Sequence, residues 1–267
     1  MRFKSVHGAV AALLVIALAP PSTAATELEM KFATLLVADE VGAGYNRSLF
    51  PHWIDADRDG CNARYEVLIT EAVVAPAIGA RCRLTGGVWI SAFDNRRITN
   101  PSLLDVDHFV PLAEAWRSGA RNWTAQQRID FANDLDLPES LIAVSRSTNR
   151  AKSDSDVANW LPPNSNYRCE YLRSWVAVKA KWQLRVDLRE RNALESGLLQ
   201  CGLLSGRTAP KFVTDAKTPN LKPVIMKYRN CTLAKAAGVT PIRRDRDPAL
   251  YRVNTHLDRD KDGIACE

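Results

Sequence analysis

The stretch "LLDVDHFVPL", residues 103–112, sets Asp105, Asp107 and His108 among Leu104, Val106, Phe109 and Val110 and closes on Pro111. A buried carboxylate without a partner costs several kcal/mol, so such a cluster calls for a cation, a hydrogen-bond network or a substrate. Asp105 and Asp107 also fall at period 2, as in a strand with one wet face. Downstream, "NWTAQQRIDFAND" (122–134) predicts a helix, with Thr124 as N-cap and Gln127 completing a capping box. "LIAVS" (141–145) predicts a second strand, and "STNRAKSDSDVANW" (147–160) leads into a helix stopped by Pro162 and Pro163. The order is strand, helical insert, strand, helix.

Outward from this core, "GVWIS" (87–91) reads as a strand followed by a turn at Asp94–Asn95. "SNYRCEYLRSWVAVKAKWQL" (165–184) places Tyr171, Trp175, Val178 and Trp182 near one helical face. Asp187 caps a further helix, with Glu190 at its third position. Residues 168–191 are rich in Lys and Arg and read as a solvated helix face over a packed one, with a phosphate track as the alternative. Their tryptophans read as core, and His52, between apolar neighbours in "LFPHW", reads as packing.

The chain of 267 residues is long enough for one full-sized domain and a small module. It opens with a basic start at Arg2 and Lys4, an apolar run from Ala9 to Ala19, and small residues Ser22 and Ala24 at cleavage-site spacing. Residues 1–24 are therefore expected to be a secretory signal. The apolar run is too short to span a bilayer, so a secreted chain without membrane insertion is expected. Its formal charge of +6 falls to +4 without that segment, an excess that suits a polyanionic substrate without demanding one.

Six cysteines in an exported chain point to disulfides, and the absence of a C-x-x-C pair argues against structural zinc. Pairing in chain order, Cys61 with Cys82, Cys169 with Cys201 and Cys231 with Cys266, keeps each bridge within one apparent unit. A proline-bearing stretch at 206–223 reads as a linker between a large domain, 25–205, and a tail module, 224–267.

The order of elements, with "DVDHFVPL" and "STNRAKSD", resembles the HNH, or ββα-metal, nuclease module. More widely, residues 35–201 are similar to secreted bacterial HNH endonucleases through "LFPHWIDADRDGCNARYEVLI", "VDHFVPLAEAWRSGA", "FANDL", "NRAKSD" and "NWLPPN". The expected fold is α+β: a ββα-metal core with added helices and a small C-terminal disulfide and calcium module. One departure is Ser140, which stands where the middle asparagine of the HNH pattern belongs; in the family that residue supports the histidine-bearing loop.

Phosphodiester cleavage needs an activated water, neutralisation of the phosphate and stabilisation of the leaving oxygen. A neutral histidine can take the water's proton near pH 7, which makes His108 the candidate general base. Asp107 and Asn149 offer hard oxygen ligands of low total charge, suited to one Mg²⁺ that keeps several waters. Lys152, three residues beyond Asn149, is placed to meet phosphate charge. The resemblance assigns the same roles to His108, Asp107 and Asn149. Adjacent strand residues face opposite ways, so metal and base can flank one phosphate only where the strand distorts near His108.

Two acidic loops remain. "DADRDGCNARYE" (55–66) has the spacing D-x-D-x-D-G-x₅-E of a calcium loop, with Cys61 directly after its glycine. In the tail, Asp258, Asp260 and Asp262 alternate before Gly263, and Glu267 follows short of the usual final position. Residues 228–267 resemble the excalibur extracellular calcium-binding module, departing at "RDRDPALYR", and the resemblance implies Ca²⁺ at Asp258, Asp260, Asp262 and Glu267. The expected function is a secreted, largely sequence-nonspecific endonuclease acting on DNA, with RNA as the other substrate, and working as a monomer. The rival is a catalytically inactive, calcium-dependent binding protein held at the cell envelope through its tail.

Overall fold

The computed structural model describes residues 23–208, 210–213, 231, 234, 241–245, 251–252 and 254–266. The signal segment up to residue 22, most of the expected linker and Glu267 lie outside the described residues. The chain runs through α1 (Thr23–Thr34), β1 (Leu36–Val37), α2 (Ala63–Thr70), β2 (Ala77–Gly79), β3 (Arg83–Thr85), β4 (Trp89–Ser91) and β5 (Arg96–Ile98). It continues through β6 (Leu104–His108), α3 (Leu112–Arg117), α4 (Ala125–Ala132), β7 (Leu141–Ser145), α5 (Arg146–Lys152), α6 (Arg168–Lys181) and α7 (Leu188–Gln200). Three short strands follow: β8 (Lys211–Phe212), β9 (Ile242–Arg243) and β10 (Ile264–Ala265). This is an α+β protein whose strands pair two by two.

The central pair is β6 with β7, antiparallel, with Val106 opposite Ala143, Asp107 opposite Ile142 and His108 opposite Leu141. Alternation along both strands separates two faces. Leu104, Val106, Leu141 and Ala143 join a cluster with Val67 and Leu68 of α2 and Trp89 of β4. Val144, on the opposite face, belongs to the larger core of Phe93, Phe109, Tyr171, Trp175 and Leu194, where α1, α6 and α7 meet. The outer edge of β7 carries amides that no strand pairs. Two side chains satisfy them: Glu71 Oε2 accepts from Ala143 N at 2.8 Å and Ser91 Oγ from Ser145 N at 2.9 Å.

Helix boundaries follow local chemistry. Thr124 and Gln127 form the expected capping box at the start of α4. Asp187 caps α7 by accepting from Glu190 N, but the Glu190 carboxylate turns inward to Lys179 and Trp175 instead of closing a box. Helix α5 is shorter than expected: it stops at Lys152, because Ser153 takes φ 52°, well before the prolines. On α6, Tyr171, Trp175 and Val178 are buried as their spacing predicts. Gly197 lets α7 lie against α6, since a Cβ there would sit 2.4 Å from Leu172 Cδ1. The Cys169–Cys201 bond ties the start of α6 to the end of α7.

All three disulfides pair in chain order. The first residues of the expected linker do not run free. Thr208 N donates to Glu195 Oε1 at 2.8 Å, and β8 pairs in parallel with β1. No helix among the described residues is long and apolar enough to cross a membrane.

Candidate functional site

Asp107 and His108 are the last two residues of β6, so their side chains leave opposite faces of the pair, as alternation requires. Both nevertheless border the space beyond the end of the strand. A cavity of about 440 Å³ opens off that end, lined by Asp107, His108, Asn149, Arg47, Arg150 and Asp154 among others. Helix α5 follows β7 directly and carries Asn149 and Arg150 to the same wall.

His108 is buried, and its Nε2 lies 2.9 Å from the carbonyl oxygen of Ala132, the last residue of α4. A carbonyl can only accept, so the proton sits on Nε2 and the lone pair on Nδ1. Burial drives this imidazole down to about 3 against the pull of the Ala132 carbonyl, with His52, Arg47 and Lys152 also opposing its cationic form. It is neutral at physiological pH. The Trp53 ring stacks on it at 5.1 Å and the His52 ring meets it edge-on at 5.7 Å.

These neighbours are themselves held. His52 Nδ1 lies 2.8 Å from Phe50 O, and its Nε2 faces Arg47 Nη2 at 3.4 Å. Asn133 binds the segment to α4: its Oδ1 accepts from Ile54 N at 2.8 Å, and its Nδ2 reaches Pro51 O and Ile129 O. Ser140, at the position of the missing asparagine, donates to Asp134 Oδ2 at 2.6 Å, and its carbonyl accepts from Phe109 N. Asp134 also takes Lys181 and Trp182 Nε1, which fixes the loop between α4 and β7. Sequence reasoning misses Asn133, Arg47 and Trp53. Asn133 stands in "FANDL" and Trp53 in "LFPHW", with Arg47 just before the latter, but without a spacing that names a role.

Asp107 is buried against Lys152, whose Nζ donates to its Oδ2 at 2.5 Å and to His108 O at 3.1 Å. Burial raises the Asp107 carboxyl to about 6 against the Lys152 charge, and burial likewise lowers Lys152. Lys152 was expected to face phosphate; it is instead fully buried at 0% exposure, an internal cation for Asp107. Asn149 Nδ2 donates to Asp105 Oδ2 at 3.1 Å, so its carbonyl oxygen is the atom free to act as a ligand. Two hard oxygen donors on one cavity wall fit a divalent ion that keeps most of its waters, and the ammonium of Lys152 competes with it.

Four of the basic residues in 168–191 are engaged within the protein, which favours the packed-helix reading over a phosphate track. Lys179 is buried between Glu114 and Glu190 at 2.7 Å from each. Arg173 pairs with Glu170 and Glu139, Lys181 with Asp134, and the Arg191 guanidinium packs over the Phe32 ring.

Both acidic loops are clustered. Carboxylate oxygens of Asp55, Asp57 and Asp59 lie within 4.8 Å of one another, and Glu66 forms a second group with Asp59 and Cys61. Cys61 is oxidised in its disulfide with Cys82. In the tail, Asp258, Asp260 and Asp262 converge within the same 4.8 Å. Asp258 is buried and accepts from Tyr251 Oη, Lys261 N and Gly263 N, contacts that hold its carboxyl below the usual range. The Cys231–Cys266 bond and the β9–β10 pair frame this loop.

A family model for the C-terminal domain of GmrSD restriction endonucleases matches residues 83–195, which span β6, β7, α5 and most of the cavity's lining, Tyr45 and Arg47 excepted. A second, for the Excalibur calcium-binding domain, matches residues 228–267. An uncharacterized secreted protein of the fungus Arthroderma benhamiae is 44% identical over 158 residues, covering 59% of this chain and 76% of the relative. This chain belongs to that secreted protein's family. The relative is a fungal secreted protein and does not show the bacterial origin that the resemblance implies. A secreted relative and three disulfides agree on an extracellular location. No solved structure matches the chain.

Proposed function

We propose that the protein is a secreted, divalent-metal-dependent endonuclease of ββα-metal (HNH) type that hydrolyses the phosphodiester bonds of nucleic acid with little sequence specificity. The observation that carries this reading is the convergence of Asp107, His108 and Asn149 on one cavity at the end of an antiparallel pair that leads straight into a helix. The match to a restriction-endonuclease domain over residues 83–195 supports it.

In this reading His108 is the general base. Its fixed tautomer leaves Nδ1 to take the proton of the attacking water, while the Ala132 carbonyl holds the ring against rotation. Asp107 and Asn149 would hold one Mg²⁺ or similar ion. The chemistry such an ion would supply there is neutralisation of charge on the phosphate and the leaving oxygen. Trp53, His52 and Asn133 hold the imidazole in place. The domain is proposed to extend over 25–205, with DNA as the main substrate. The tail, 224–267, is proposed to bind Ca²⁺ through Asp258, Asp260, Asp262 and Glu267, on the strength of the Excalibur match and the converging aspartates.

A second reading has one specific observation in its favour. Lys152 already supplies Asp107 with a cation, as in a site that has lost its metal, and such a protein would bind without cutting. Plasmid cleavage by the oxidised protein, with and without EDTA, separates the two. Nuclease activity that disappears in EDTA and falls about 10²–10⁴-fold in His108→Ala, with DNA binding retained, is expected. Wild-type protein that leaves plasmid intact in Mg²⁺ and Mn²⁺ alike refutes the proposal.

A further inference from the structure

Beside the site, arginines gather on one face. A cavity of about 380 Å³ is lined by Arg96 and Arg97 of β5 and by Arg146 and Arg150 of α5. Arg150 also lines the cavity that holds Asp107 and His108, so the two cavities adjoin at that residue. On its far side, Thr99 is shared with a third cavity of about 600 Å³, whose wall includes Arg64 and Arg83. No acidic side chain among the described residues lines either of these two cavities.

The charges are only partly answered. Arg146 lies 3.6 Å from Asp105 and donates to Ser102 O; Arg96 reaches Ser147 Oγ at 3.4 Å; Arg64 donates to Leu104 O at 3.1 Å. Arg96, Arg97 and Arg150 are exposed and make no ion pair among the described residues. Arg146 and Arg150 stand one turn apart on α5, and like charges at that spacing repel unless an anion lies between them. By contrast, Arg173 sits among acids, Glu170 and Glu139. An unmixed run of guanidiniums leading away from a site that acts on phosphodiesters fits a ligand with regularly spaced anions.

We propose that Arg150, Arg146, Arg96 and Arg97, and beyond them Arg83 and Arg64, form a trough that binds the phosphate backbone of a nucleic-acid strand flanking the bond to be cut. The trough rests on the nuclease reading for its purpose, and it names the substrate class and the direction in which the strand leaves the site. The contacts are to phosphate and carry no base sequence, in keeping with cleavage of little specificity. Each guanidinium that meets a phosphate releases condensed counterions, so binding must weaken steeply with salt.

Binding of a short labelled DNA duplex is measured by anisotropy in EDTA over a series of salt concentrations, which removes cleavage from the readout. The double variant Arg96→Gln/Arg97→Gln is expected to lower the slope of log K against log salt by about 2, close to 0.9 for each phosphate no longer neutralised. Arg96→Lys/Arg97→Lys retains the slope, which separates loss of charge from loss of fold. In cleavage assays the defect of the glutamine variant appears as a raised KM. An unchanged slope in the glutamine variant, or wild-type protein that ignores duplex and binds an acidic polysaccharide instead, overturns the trough. If the slope falls as expected but the wild type never cleaves, the trough stands and the nuclease reading fails.

Discussion

Glu71 closes α2 and accepts from Ala143 N, so its carboxyl pins the strand that lies directly behind Val106 and the site. Burial raises this carboxyl from 4.5 to about 7, with the Ala143 amide only partly offsetting the loss of water. Below pH 4.5 both folded and unfolded chains hold the proton, and Glu71 adds no pH dependence. Between 4.5 and 7 the unfolded chain releases it while the folded chain keeps it, so stability falls as pH rises through this window and levels above it. The full difference corresponds to about 3 kcal/mol, or about 2–3 kcal/mol once partial contact with water is allowed for. Glu71→Gln keeps an oxygen for Ala143 N but has nothing to ionise. Urea denaturation of both proteins from pH 4 to pH 8 is expected to show the glutamine variant gaining about 2–3 kcal/mol on the wild type over that range. Two curves that stay parallel would refute the buried, proton-holding Glu71 and the edge cap built on it.

Three further outcomes are expected. Lys152→Met leaves Asp107 buried without its cation and should lower stability by about 3–5 kcal/mol in EDTA; Mg²⁺ should restore more of it than it adds to the wild type, as read by thermal melts. Equal responses to Mg²⁺ would count against ligation at Asp107. Replacing Cys169 and Cys201 together by serine opens a loop of 32 residues and should cost about 4 kcal/mol in the chain-entropy model, measured by denaturant midpoint. Asp260→Ala in the full chain should abolish Ca²⁺ binding by the tail in calorimetry while plasmid cleavage in Mg²⁺ continues; retained high-affinity binding would remove Asp260 from the site.

What could be read from the sequence was local. Thr124 and Gln127 sit three residues apart, and a capping box needs nothing else. The cysteines pair in order because each closure stays inside one packed unit, as Cys169 and Cys201 do across the α6–α7 hairpin. The strand, strand, helix order around His108 was legible for the same reason: period and punctuation declare it. What stayed hidden depends on long side chains choosing partners across the fold. Asn133 reaches residues 51 and 54, and Glu195 takes Thr208 from a segment whose prolines read as linker. Ser153 ended α5 early through a positive φ that serine rarely adopts, and no propensity announces that.

The clearest misreading was of α5 itself, and its cause is geometric. The sequence puts Asn149 and Lys152 on one side of the helix by i, i+3 spacing, and they do share that side. That side faces inward, where the flexible stem of Lys152 carries its ammonium to Asp107 instead of to solvent. Arg146 and Arg150, at i, i+4, fall on the adjoining, more exposed edge and open into the arginine-lined cavity. One short helix thus supplies the interior cation, the candidate ligand and two exterior guanidiniums. The residue suited to meeting phosphate on it is Arg150, which borders both cavities and keeps its charge in water, where neutralising an anion costs no desolvation of a buried lysine.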